Sequence, residues 1–209
     1  MTGKIKLPHA SGNSMSIAAP ATNPASDLEL KLPAAIGSAN HILKNSGTAG
    51  TLEFANSVNT PIVFAWNNQG GTEGLTDATW TKNTWLTSEE IDTDGAFSAS
   101  RFTVPADKGG VYFIAIGNNL YGDSNNIRAA MSAIYKNGSG YAKAYNTIFS
   151  TSSSGLRHFQ AERQLVTTLA AGDYIESYMY CDVESGPLYF SSDSSGVRGN
   201  YLMAFRLSY

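Results

Sequence analysis

Hydrophobic positions along this sequence fall into short runs with a period of two, broken by Gly, Pro, Asn, Asp and Ser. That is the repeat of a pleated strand and not of a helix. The stretch from Glu90 to Ile116 organises the rest. Arg101–Val104 ends one predicted strand, and Pro105, which has no N–H to donate, stops its ladder. Ala106–Gly110 reads as a turn in which Gly109 and Gly110 supply positive φ. Val111–Ile116 is apolar at every position, which predicts a strand buried on both faces. The expected element is the central hairpin of an all-β domain.

The flanking sequence follows the same grammar. Pro61–Trp66 is a candidate first strand, Asn67–Gly74 a loop, and the stretch around Trp80 and Trp85 short strands or coil. Gly117–Asn126 reads as a polar loop. Ile127–Lys136 contains helix-favouring Ala and Met, but Asn137-Gly138-Ser139-Gly140 is a strong hairpin turn, so a strand is predicted. Thr147–Phe149 leads into a serine run. Arg163–Leu169 and Tyr174–Tyr180 are strands joined by Ala170–Asp173. A Ser/Gly/Asp loop over 184–199 precedes the closing strand Asn200–Tyr209.

Residues 1–57 differ. Lys4-Ile5-Lys6-Leu7-Pro8 and Glu29-Leu30-Lys31-Leu32-Pro33 nearly repeat, each a short one-faced strand stopped by Pro. Leu43–Asn45 and Thr51–Phe54 flank a turn at Ser46–Gly50, which is hairpin grammar with small apolar faces. Such a segment cannot offset an ordering entropy of about 1–2 kcal/mol per residue, so it needs a partner. The expected division is an N-terminal stem or attachment segment, 1–57, contacting its partner through Ile5, Leu7, Leu30, Leu32, Leu43 and Phe54, and a head domain, 58–209.

Composition narrows the function. Charged residues are 15% of the 209, and Gly, Ser, Asn and Thr take their place beside eleven Tyr and nine Phe, a β-rich and turn-rich mixture. A net charge of −3 without any Lys/Arg run argues against nucleic acid as a partner. Cys181 is the single cysteine, expected to be buried in a strand. The start lacks the apolar core of a signal peptide, which predicts synthesis and retention in a cytoplasm, and no apolar stretch reaches about 20 residues, so no membrane insertion is expected.

Two resemblances add to this reading. Phe102-Thr103-Val104-Pro105, a glycine turn and Val111-Tyr112-Phe113, then Lys136-Asn137-Gly138 closing a strand, then Leu165–Leu169 with Ala171-Gly172-Asp173, resemble the complement C-one-q globular head, in that order. The closing strand matches that family in position and character, although Gly199-Asn200-Tyr201-Leu202 departs from its wording. The resemblance covers residues 60–209 and implies an antiparallel jelly-roll sandwich of the complement C-one-q and tumour necrosis factor superfamily, packed as a homotrimer. Residues 28–55, from Leu28 through Leu32-Pro33, Ile42-Leu43-Lys44 and Leu52-Glu53-Phe54, resemble N-terminal modules of structural proteins of marine tailed bacteriophages, with His41 where those carry Gln. That implies a stem or attachment segment joined to other virion proteins.

Strand faces suggest where contacts lie. Tyr174, Tyr178 and Tyr180 share one face of their strand, and Tyr201, Met203, Phe205 and Leu207 one face of theirs. Large amphipathic side chains of this kind are enriched at protein interfaces, so these seven are the candidate trimer interface. The predicted loops offer Tyr121, Asp123, Tyr141, Tyr145, Arg157 and Tyr189 as candidate receptor-binding residues, the Tyr–Ser–Gly–Asn chemistry of adaptable recognition surfaces.

Catalytic chemistry finds no support. His9, His41 and His158 are poor bases by context, and serines are too many for a Ser–His–Asp pattern to discriminate. No Cys/His spacing suits zinc, and Asp92-Thr93-Asp94-Gly95 lacks the bidentate Glu of a calcium loop and reads as a turn. The expectation is no enzyme, no cofactor and no metal. The chain reads as a virion-surface structural protein of a tailed phage, made in the host cytoplasm: a trimeric tail-fibre, tail-tip or capsid-appendage head that meets a host-surface glycan or protein. A free-standing lectin-like module is the alternative, and a glycan depolymerase a more distant one.

Overall fold

The computed structural model describes residues 4–8, 12, 14–18, 22, 24–26, 29–39, 41–56, 60–67, 71–122, 127–147, 156–192 and 198–208. All its regular elements are strands, and no helix is long and apolar enough to cross a membrane. The chain divides into two units, Met1–Ser57 and Val58–Tyr209.

The first unit is made of two antiparallel hairpins. β1 (Lys4–Pro8) pairs with β2 (Ser14–Ala18), and β3 (His41–Asn45) pairs with β4 (Leu52–Asn56) around the expected 46–50 turn. β2 was not expected. Glu29–Pro33 is not a full strand, because only Lys31 bridges to Thr51. No described residue of this unit is buried, and Ile36 is 95% exposed.

The second unit contains β5 (Ile62–Trp66), β6 (Gly71–Leu75), β7 (Thr81–Lys82), β8 (Ser88–Asp92), β9 (Phe97–Ser98), β10 (Arg101–Thr103), β11 (Gly110–Gly122), β12 (Ile127–Lys136), β13 (Ser139–Thr147), β14 (His158–Leu169), β15 (Tyr174–Val183), β16 (Leu188–Ser192) and β17 (Tyr201–Ser208). Eight of these nest as pairs. β5 lies beside β17, β10 beside β15, β11 beside β14 and β12 beside β13, all antiparallel. First with last, second with seventh, third with sixth and fourth with fifth is the winding of a jelly roll. One sheet, here sheet I, runs β13-β12-β15-β10-β9, with β7 also on β15. The other, sheet II, runs β6-β16-β11-β17-β5-β8, with β14 on the far side of β11.

Two expectations are corrected here. Residues 105–110 do not close a hairpin. β10 belongs to sheet I and β11 to sheet II, so the chain crosses between sheets there. Val104 N–H donates to Asp173 C=O and Gly172 N–H to Val104 C=O, tying the end of β10 to the β14–β15 turn instead. The expected polar loop 117–126 begins as strand, because β11 continues to Gly122.

The reason lies in the core. Tyr112, Ile114, Ile116 and Leu120 of β11 point inward and are fully buried, and between Ile116 and Leu120 sits Asn118, also buried. β12 and β15 carry a polar residue at the same level: Ser132 lies between Ala130 and Ile134, and Ser177 between Ile175 and Met179. Asn118 Nδ2 donates to Ser132 Oγ, and its Oδ1 accepts from Ser177 Oγ at 3.0 Å and from Asn83 Nδ2 at 3.0 Å. This satisfied polar layer bridges the sheets and separates two apolar clusters, one around Phe102, Tyr112 and Ile114, the other around Leu120, Met179 and Phe190. Cys181 is buried in the second cluster, and burial pushes its thiol up to about 12, which makes it inert.

Candidate functional site

Each sheet has an outward face, and the two are built differently. On sheet II the registers align side chains into rungs. Val166, Phe113, Phe205 and Ile62 form one rung across β14, β11, β17 and β5; Gln164, Ala115, Met203 and Phe64 form the next; Glu162, Gly117, Tyr201 and Trp66 the third. Phe113 and Phe205 stack with ring centroids 4.9 Å apart, and Phe64 lies 6.2 Å from Tyr201. A Cβ at Gly117 would collide with the Tyr201 ring, so this glycine lets that ring lie across β11. A shallow hollow of about 330 Å³ opens beside Phe64, Phe113 and Met203. Val166 is 59% exposed and Leu207 47%. The face is apolar along the first rung, carries Gln164 beside three apolar residues in the second and acquires charge at the third, where Tyr201 O–H donates to Glu162 at 3.3 Å and Arg198 lies over Trp66 while pairing with Glu90.

Val111–Ile116 was expected to be buried on both faces. Tyr112, Ile114 and Ile116 are fully buried; on the other face Ala115 is buried as well, whereas Val111 and Phe113 are only half-buried.

Tyr174, Tyr178 and Tyr180 are not on this face. They stand on the outer face of sheet I: of the seven candidate interface residues the structure brings together Tyr201, Met203, Phe205 and Leu207 and places the three β15 tyrosines on the opposite sheet. There they are covered by the chain itself. Tyr178 stacks on Tyr135 at 3.8 Å, Trp80 packs against Tyr135 and Tyr180, and Lys143 caps Trp80 at 4.9 Å. Ala133, next to Tyr178 in register, is fully buried beneath this layer. Arg101 lies 4.0 Å over Tyr174. Between them Glu176 accepts from Lys82 at 2.9 Å and pairs with Arg101 at 2.8 Å. Burial would raise that carboxyl, but the bonds from Lys82 and Arg101 outweigh it and hold it below its ordinary value.

Of the candidate receptor-binding residues, Tyr121, Tyr141, Tyr145 and Tyr189 stand on strands and Arg157 just ahead of β14. Tyr141 and Tyr145 are exposed on β13, and Tyr141 O–H shares a 2.7 Å bond with Thr167. Tyr121, Arg157 and Tyr189 come together at the end of β11: Arg157 sits over the Tyr121 ring and donates to its hydroxyl, and Tyr189 lies 6.0 Å away. His158, set aside as a base, joins them 4.6 Å from Tyr121. Asp123, like the serine run 150–154 and His9, lies outside the described residues. In the first unit Leu7, Leu30, Leu32, Leu43 and Phe54 are exposed; the side chain of Ile5 lies outside the described set although its backbone is part of β1.

Asp92 behaves as the turn residue expected, its carboxylate accepting from the amides of Ala96 at 2.8 Å and Phe97 at 2.9 Å. Among the described residues no group of three or more His, Cys, Asp or Glu side chains is placed to hold a metal. His41 Nδ1 accepts from Ser38 N–H at 3.3 Å and has no nucleophile beside it in that bond.

No family model matches the sequence, and no curated protein matches it. Similar solved structures include Eiger TNF from S. frugiperda, at 12% identity and TM-score 0.48, covering 72% of this chain and 94% of that one. The globular domain of zebrafish complement 1qA protein matches at 14% identity and TM-score 0.43, covering 71% and 98%. Murine APRIL matches at 13% identity and TM-score 0.46, covering 70% and 98%. The jelly-roll assignment rests on the strand order of the chain itself, and no ligand or assembly is carried over from these proteins.

Proposed function

We propose that this chain is a homotrimeric attachment head of a tailed bacteriophage particle. Three jelly rolls pack through the outer face of sheet II, residues 1–57 join other virion proteins, and the head meets a host-surface glycan or protein. The observation that carries the assembly is the apolar face of Val166, Phe113, Phe205, Ile62, Met203 and Phe64, in which Val166 is exposed and the others are half-buried. Each large side chain withdrawn from water contributes about 1.5–3 kcal/mol, so a few per subunit offset the cost of association. The particle reading is supported by the sequence phrasing of residues 28–55 and by the exposed Leu30, Leu32 and Ile36 of the first unit, which present apolar surface without a core. The role we read is binding: on the three rungs the titratable groups are Glu162 and Tyr201, which share a hydrogen bond, with the Arg198–Glu90 ion pair beside them.

Light scattering tests the assembly, and three times the 22.3 kDa chain mass is expected. A chain shortened to begin at Val58 is expected to keep that mass and to be missing from purified particles when it replaces the full chain. Single-chain mass at micromolar concentration contradicts the trimer; normal incorporation of the shortened chain contradicts the role of residues 1–57.

A further inference from the structure

The far end of the sheet II face differs chemically from its apolar rungs. Tyr121 pairs in register with His158 on β14 and with Tyr189 on β16, so three rings form one rung held by the ladder. The Tyr121 and Tyr189 ring planes are 25° apart. Arg157 is exposed, lays its guanidinium 4.9 Å over Tyr121 and donates one N–H to that hydroxyl. Several other cations of this domain meet acids: Lys82 and Arg101 share Glu176, Lys136 pairs with Asp173, and Arg198 with Glu90, whereas Lys143 lies over Trp80 and Arg206 donates to Gly109 C=O. Among the described residues no carboxylate pairs with Arg157. A guanidinium has five N–H donors in a planar fork, so donors remain after the bond to Tyr121. The rung thus offers tyrosine rings beside an oriented positive charge that no described carboxylate pairs with.

We propose that this rung binds an acidic sugar, a pyranose bearing a carboxylate. The sugar ring packs on the tyrosines and the carboxylate takes the remaining N–H groups of Arg157. The guanidinium fork matches a carboxylate in two parallel hydrogen bonds, and Tyr121 already holds the fork in place, so little side-chain entropy remains to be lost. A polyanion such as nucleic acid needs a stripe of cations to neutralise successive phosphates, and here one arginine stands beside one histidine. This inference names the ligand class for the attachment role proposed above and rests on it.

Calorimetric titration of the full chain tests it, with an oligomer of galacturonic acid, the same oligomer fully methyl-esterified, and acetate as ligands. The acidic oligomer is expected to bind, and esterification or Arg157→Gln to weaken it about tenfold or more, the loss of a charge-assisted hydrogen bond. Tyr189→Ala is expected to weaken it several-fold while leaving the melt unchanged. Binding of the ester or of acetate as tight as that of the acid overturns the proposal. So does indifference to both substitutions, or the absence of binding at millimolar ligand. Mass measured on the same samples separates the two readings: a three-chain mass without sugar binding removes the ligand alone, and a single-chain mass removes the assembly.

Discussion

The outer faces of the two sheets carry similar residues and reach opposite ends. Sheet I shows Tyr135, Tyr174, Tyr178 and Tyr180, and the chain covers them with Trp80, Arg101 and Lys143 and closes the layer with a buried carboxylate, Glu176. Sheet II shows Phe64, Phe113, Met203 and Phe205, half-buried beside an open hollow. Aromatic content does not distinguish a core layer from an interface. What distinguishes them is which side chains the same chain lays over the strands, as Trp80 lies against Tyr135 and Tyr180 on sheet I.

The largest expected effect breaks the apolar face of sheet II. Phe205→Asp puts a charge against Phe113, at a cost of about 3–5 kcal/mol if that surface is buried between copies, and is expected to convert the trimer to single chains. Tyr145→Asp, on the exposed edge of sheet I, is expected to leave the mass unchanged. Analytical ultracentrifugation of both variants reads the contrast.

The covered face responds in the opposite way. Trp80→Ala removes the ring between Tyr135 and Tyr180 and is expected to lower stability by about 2–4 kcal/mol in a denaturant melt, with no change in oligomeric mass. Glu176→Gln leaves Lys82 and Arg101 without their counter-charge and is expected to cost about 1–3 kcal/mol by the same measurement.

These contrasts also show what the sequence reveals. Period-two runs and turn residues located most strands of the head, including Ile127–Lys136 against its helical composition, and the hairpin turn at Asn137-Gly138, whose φ values are 52° and 78°. Turn residues say that the chain changes direction and not which strand it joins next, so 105–110 read as a hairpin and is a crossover. Polar residues inside a strand read as surface, so Asn118 ended the predicted strand early, although Asn83, Ser132 and Ser177 satisfy it from three other segments. The β15 and β17 aromatics read as one interface because one-dimensional patterning gives the face of a strand but not its sheet. Trp80 held the missing information, and its partners are distant in sequence. The cluster at Tyr121 was half legible: its residues were picked for loop chemistry, and the ladder, not a loop, assembles them.

The smallest expected effect is electrostatic. Asp173 accepts from Lys136, from Asn137 Nδ2 at 2.8 Å and from the Ala170 amide at 2.8 Å, and these bonds lower its carboxyl from 3.8 to about 2. A carboxyl depressed in the folded state adds stability above its unfolded value and loses it as pH falls through the folded one. Thermal melts are therefore expected to lose about 1 kcal/mol between roughly pH 4 and pH 2 from this group, and Asp173→Asn is expected to flatten that window.

Hydroxyl-radical footprinting of the full chain addresses the difference between the faces directly. The account predicts that Val166, Met203, Phe205 and Leu207 are protected at micromolar concentration and become reactive on dilution to single chains, while Tyr141 and Tyr145 react freely throughout. Val166 and Leu207 reacting at micromolar concentration as they do in diluted single chains would contradict it.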